Sequence, residues 1–197
     1  MKTPLRSLVL ALTATFTLAA VAGPFGLRAG MTIDELRKQG RLVQDGPDIY
    51  RTSKLLGGYR EFELYSLFVI PGIGLCQVIA VTSPIRSDAY GREVRQAFDR
   101  IHALLTQRYS EGSVYDGLRT GAEEVEPQAW MRSMARGERE LAAVWTVRDD
   151  KLPDRLGGII LRAMALDDER GMLSLRYDFD NYEACAKRRQ SRDGARF

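Results

Sequence analysis

His102 is the only histidine of this 197-residue chain, and Cys76 and Cys185 are its only cysteines. Chemistry that needs an imidazole base or a thiolate must therefore use these three side chains. A Ser-His-Asp or Cys-His mechanism would take His102 as its base, with the nucleophile delivered from elsewhere in the fold. Neither a Gly-x-Ser-x-Gly elbow nor a comparable cysteine motif is present. His102 also stands beside Ile101 at the margin of an apolar stripe, the place of a helix-surface or half-buried imidazole. Zinc needs three or four nitrogen and sulfur ligands, more than one His supplies once both cysteines are oxidised. Asp167-Asp168-Glu169 lacks the oxygen spacing and glycine of a calcium loop and reads as a solvated turn. Gly26-x-x-x-Gly30 precedes a helix but is not followed by Gly-Lys-Ser/Thr, which argues against a nucleotide cradle. Paired carboxylates remain, because glycosidase acids carry no short motif. Glu61, Glu63, Glu123, Glu124 and Glu126 are the candidates, with solubility as their commoner role. The expectation is a protein without catalytic residues, cofactor or metal.

Binding features are better represented. Trp130 and Met131, with Met134 following, open a short helical stretch, and Tyr50, Tyr59 and Tyr65 lie in the first strand region. Such side chains either belong to the core or form the aromatic anchors that dominate protein interfaces. As a candidate binding surface, Trp130, Met131, Tyr50, Tyr59 and Tyr65 suit another envelope protein, or, by ring stacking, a cell-wall glycan. Nucleic acid is not expected. Without Lys2 and Arg6 of the leader the charge balance is 27 basic against 26 acidic residues, and phosphate recognition calls for a clear basic excess. The one basic cluster, Lys187, Arg188, Arg189, Arg192 and Arg196, reads as a solvated tail over 186–197.

Residues 1–22 read as a secretory signal peptide: Met1-Lys2 and Arg6 are its positive end, Leu8 to Leu18 its apolar stretch, and Ala20-Val21-Ala22 a small-residue cleavage site. The apolar stretch is short of the roughly 20 residues a membrane span needs. No stable membrane anchor is expected, and neither cysteine adjoins the cleavage point. A periplasmic or secreted domain over 23–197 follows, long enough to bury a genuine core. In an oxidising compartment Cys76 and Cys185 are expected to form one bridge, since the close Cys-x-x-Cys spacing of a redox pair is lacking.

The elements that must position these groups follow from pattern. Thr32-Ile33-Asp34-Glu35 has the form of a capping box and predicts a short helix ended by Gly40. Strands are predicted over 49–52, 62–70 and 75–82, the last two joined through Pro71-Gly72-Ile73-Gly74. In the second, Phe62, Leu64, Ser66, Phe68 and Ile70 share one face, while Leu67 and Val69 turn to the other, which suggests cover on both sides. Val94, Phe98, Ile101 and Leu105 form one stripe of a helix over 88–109. A glycine-rich acidic link precedes a shorter helix from Pro127 to Arg136, closed by Gly137, and strands follow over 141–147, 158–166 and 172–179. The order is helix, three strands, two helices, three strands. That is an α+β fold of antiparallel sheet packed with helices, and its halves, 23–84 and 85–185, repeat one plan in outline.

Pro24-Phe25-Gly26-Leu27-Arg28-Ala29-Gly30-Met31-Thr32, continuing into Asp34-Glu35-Leu36 and Gly40, resembles the opening of small exported bacterial proteins with the beta-lactamase-inhibitor-protein-like fold, among them the outer-membrane-assembly small lipoproteins. The resemblance covers about 17 residues and implies helices on an antiparallel sheet and a role in binding other proteins. The lipoprotein cysteine and the Gly-x-Pro that often follows the first helix in that group are missing from this sequence.

Overall fold

The computed structural model describes residues 23–122, 126–146 and 152–194. The leader lies outside these residues, as do Glu123, Glu124, Val147 and Arg196. One antiparallel sheet organises the rest. In chain order its strands are β1 (Val43–Gln44), β2 (Ile49–Thr52), β3 (Phe62–Ile70), β4 (Gly74–Thr82), β5 (Ile85–Arg86), β6 (Ser113–Leu118), β7 (Arg139–Thr146), β8 (Leu156–Ala165) and β9 (Arg170–Phe179). Their spatial order is β1-β2-β3-β4-β9-β8-β7-β6, with β5 also pairing with β9. Each half thus ends on a central strand, and the halves join where Gln77–Val81 of β4 runs against Ser174–Asp178 of β9. The sheet is continuous.

Helices α1 (Ile33–Arg37), α2 (Arg92–Tyr109) and α3 (Trp130–Ala135), together with the segment from Phe25 to Met31, build the main core on one face. The capping box forms as expected: the Glu35 amide donates to Thr32 Oγ1 at 3.3 Å and the Thr32 amide to Glu35 Oε2 at 2.9 Å. The bond from the Thr32 amide holds the Glu35 carboxyl below the usual carboxylate range. Gly40 does not end this helix, which stops at Arg37. Its glycine is needed because a Cβ there would lie 2.2 Å from the Lys54 carbonyl oxygen. In α2 the stripe Val94, Phe98, Ile101 and Leu105 is buried as expected. The helix begins at Arg92, four residues later than the pattern suggests, because Asp88 Oδ1 accepts from the amides of Tyr90 and Arg92 and makes residues 88–91 a turn. Gly91 within it has φ +72°, and a Cβ there would sit 2.1 Å from the Trp130 ring. That contact seats α3 against the start of α2.

Two bulges decide which residues face which layer. Phe62 is opposite Thr82 but Leu64 is opposite Val81, so β3 carries one extra residue there. Phe62 therefore joins Tyr65, Leu67 and Val69 in the main core and leaves the face that simple alternation gives it. Further on, Phe68 is opposite Gln77 and Val69 opposite Leu75, which makes Cys76 the extra residue of β4. Leu75 and Val78 then share the core face, while Cys76 turns to the opposite one. There α4 (Tyr182–Gly194) closes a second, small cluster of Phe68, Ile70, Cys76 and Cys185. The two cysteines are disulfide-bonded, with Cα atoms 6.5 Å apart.

Four elements depart from the expected order. β1 and β5 have two residues each, too few to leave a pattern. β6 falls in the stretch read as a glycine-rich link; as an edge strand paired to β7 alone, it needs no alternation of apolar residues. The basic tail is helical through Gly194, because Cys185 ties it down, Arg189 lies over the Phe68 ring at 5.7 Å and Arg192 forms a two-pronged pair with the buried Asp48. Among the described residues no helix is long and apolar enough to cross a membrane.

Candidate functional site

Four of the five expected anchor side chains are buried. Trp130 is 3 % exposed, Met131 0 %, Tyr50 8 % and Tyr65 1 %; Tyr59, at 48 %, alone reaches solvent. The corrections have separate causes. The Trp130 ring is wedged against Gly91, with the Arg95 guanidinium 4.8 Å above it. Met131 lies beneath it in the core. Tyr50 is in register with Leu67 on the helix-covered face. Tyr65 hides its ring and satisfies its hydroxyl on the Tyr59 carbonyl at 3.1 Å. His102 stacks parallel to Phe98 at 6.0 Å and also contacts Trp145, as a half-buried imidazole. No group of three or more His, Cys, Asp or Glu able to hold a metal occurs among the described residues.

Among the described residues the sheet face opposite the main core is left open beyond the end that α4 covers. Register fixes its composition. Ser66, Ile79, Arg176, Ile160 and Val144 follow one another across β3, β4, β9, β8 and β7 as successive partners. The next row is Leu64, Val81, Ser174, Arg162 and Ala142, extended to Tyr115 on β6. Met164 and Met172 face each other at the far end. Leu64, Ile79, Val81, Ile160, Val144 and the two methionines are all partly exposed. On the core side, by contrast, Tyr65, Ala80, Leu175, Leu161 and Ala143 in equivalent register are buried. The polar members are held in place: Arg176 grips Asp178 through two bonds of 2.8 and 2.7 Å, and Arg162 pairs with Glu140 at 2.9 Å. Six strands about 4.8 Å apart and two to three rows about 7 Å apart give this face on the order of 400 Å². A stable complex buries about 800 Å² per partner, so the face is large enough to be the apolar centre of an interface, with surrounding loops as rim.

A second feature is a cavity of about 320 Å³ between α2 and the ends of β3, β4 and β9. Phe62, Ile101, Leu105, Leu173 and Leu175 make its wall apolar, and the Tyr109 and Tyr177 rings meet edge to face beside it, 6.2 Å apart. Burial pushes the Tyr109 hydroxyl up to about 12 and raises Tyr177 further. A tyrosine raised in the folded state supports folding below its ordinary value near 10, and this support fades as pH climbs through the folded value. Tyrosinate absorbance of the folded protein should therefore show at least two of the eight tyrosines ionising well above pH 10, with stability falling between about pH 10 and 12. Ionisation of all eight together near pH 10 would contradict this. Of the five candidate carboxylates Glu61 borders the cavity, Glu63 accepts from Ser83 at 2.6 Å and Glu126 accepts from Gln128. No second carboxylate lines the cavity among the described residues, whereas a glycosidase places two about 5 to 10 Å apart.

Comparison with known protein families, with curated proteins and with solved structures gives no match to this chain.

Proposed function

We propose that this is an exported, non-enzymatic envelope protein that binds another protein through the open face of its sheet, as an inhibitor, immunity factor or assembly adaptor. The observation that carries the reading is the partly exposed apolar set Leu64, Ile79, Val81, Ile160 and Val144, on four of five strands in register, with no helix over it among the described residues. A contiguous, partly exposed apolar patch of this kind on a folded protein is often a functional contact surface. The disulfide suits a compartment outside the reducing cytosol, the leader supplies a route there, and the resemblance of residues 24–40 to protein-binding exported domains points the same way.

The test is pairwise. Ile79→Glu and Ile160→Glu put carboxylates into the centre of the face without touching the main core. Each should weaken a saturable envelope partner at least about tenfold, the cost of desolvating one unpaired charge at an interface. Lys38→Glu, an exposed position at the end of α1 on the opposite side of the sheet, should leave affinity unchanged. Equal affinity of all three variants removes the sheet face from the function.

The cavity favours a second reading, a small-ligand binder, since sites for small ligands begin at about 300 Å³ and are mostly apolar. An apolar ligand fits its wall better than a sugar, which stacks on broad exposed rings. Anilinonaphthalene sulfonate separates the readings: saturable fluorescence abolished by Leu105→Trp supports the cavity, while no binding leaves the sheet face alone.

A further inference from the structure

On the helix-covered side of the molecule, away from both features above, Tyr90, Arg92, Arg95, Pro127, Trp130 and Arg139 line a shallow pocket. Three elements converge there: the start of α2, the turn leading into α3 and the start of β7. Its chemistry is one-sided. Arg95 Nη2 and Arg139 Nη1 both bind Asp116, at 3.0 and 3.3 Å, so two guanidiniums share one carboxylate. Arg92 has its own partner in Asp88. Among the described residues that line the pocket and their ion-pair partners, three cations are thus matched by two anions, which leaves one positive charge over.

The hydrogen-bond inventory agrees. Arg95 Nε, Arg139 Nε and the Trp130 indole Nε1 are all buried, and none has an acceptor among the described residues. Buried donors are normally satisfied, and those left open in a native fold call for an acceptor from outside. Trp130 is 3 % exposed, so its indole is held in one place by packing at the wall of the pocket. Among the described residues the lining includes no carboxylate. A ligand bearing acceptors and negative charge would meet the three N–H groups and the surplus charge together. At the mouth, Tyr90 is 45 % exposed beside Pro127, an apolar and aromatic rim for the body that carries the charged group.

We infer that this pocket binds a carboxylate attached to a small planar or apolar group, with Arg95, Arg139 and the Trp130 indole as donors and Tyr90 and Pro127 against the body. A single carboxylate matches the single surplus charge, and its two oxygens offer four lone-pair sites to the three donors. The site is independent of the sheet face, so either assignment stands if the other fails.

The indole N–H resonance of Trp130, identified by its loss in Trp130→Phe, reports directly on one of the three donors. Benzoate should move it downfield in a saturable way, half-complete in the millimolar range expected of so small a ligand. Benzamide, of the same shape without the charge, should not. Arg139→Gln should weaken benzoate about tenfold, and Arg95→Lys, which keeps the charge but removes Nε, should do likewise if the first variant fails to fold. An unmoved resonance, an equal response to benzamide, or wild-type affinity in a folded variant overturns the inference. Inorganic phosphate binding more tightly than benzoate overturns the choice of a carboxylate.

Discussion

Replacing Cys76 and Cys185 together by alanine lowers the unfolding free energy by about 4 to 5 kcal/mol, because the bridge closes a loop of 109 residues and removes that much conformational freedom from the unfolded chain. Both sulfurs are fully buried. In the native fold the bridge ties α4 to the bulge of β4, in a cluster whose other buried members are Phe68 and Ile70. The rest of the helix holds less firmly: Arg192 pairs with Asp48, and Tyr182 and Arg189 pack on Phe68, but Cys185 is its one buried residue. Urea unfolding of both forms measures the loss, and hydrogen exchange localises it, with the amides of 182–194 losing protection before those of β4 and β9. A difference below about 1 kcal/mol would show that the unfolded chain stays compact without the bridge. In the unmodified protein, a thiol reagent added after denaturation should find nothing to label.

Phe25→Ala should cost about 3 to 5 kcal/mol, as for other buried aromatic truncations. Phe25 is 2 % exposed and stands at the centre of a ring of edge-on aromatic contacts: Tyr65 at 5.0 Å, Tyr177 at 5.5 Å, Tyr59 at 5.6 Å and Phe62 at 5.7 Å. Its backbone is left-handed, with φ 57°, a conformation unfavourable for a side-chain-bearing residue. The burial outweighs this strain. Phe25→Gly relieves the backbone and still empties the ring cluster, so it should also destabilise, though by less than the alanine variant. The order alanine worse than glycine, read from denaturant midpoints, checks the argument. Phe25→Gly at wild-type stability would refute it.

Much of the architecture was readable from pattern. The capping box at Thr32, the stripe of α2 and the long apolar strands each depend on a few neighbouring residues, so the sequence displays them locally. The pairing of Cys76 with Cys185 followed from elimination. What stayed hidden depends on distant partners. β6 is a strand because β7 offers it an edge, and its Ser-Val-Tyr-Asp-Gly-Leu composition gives no sign of that. α4 was obscured because its cationic run looks solvated, whereas Asp48, 144 residues earlier, neutralises Arg192. The bulges at Phe62 and Cys76 reversed the facing expected from alternation, and only the register of two strands reveals them.

The burial of the candidate anchor residues was hidden for a related reason. Large aromatic side chains are conspicuous in a sequence, but Trp130 and Tyr65 are the ones the core absorbs. The open face is made of medium-sized apolar residues such as Ile79 and Ile160, which look like ordinary strand interior. Whether such a strand is covered on one side or two depends on where α4 stops. The expectation that β3 is covered on both sides is met only at its Phe68 and Ile70 end.

The seam between β4 and β9 also has a consequence for the nascent polypeptide. Gln77 meets Asp178, 101 residues further on, so when the first half leaves the ribosome its innermost strand has no neighbour on one side and keeps none until nearly the whole chain has emerged. Throughout that interval the bare backbone of β4 can recruit a strand from another molecule. A holding chaperone at this stage, with release timed to the appearance of the final strand, would protect the protein where its assembly order leaves it most vulnerable.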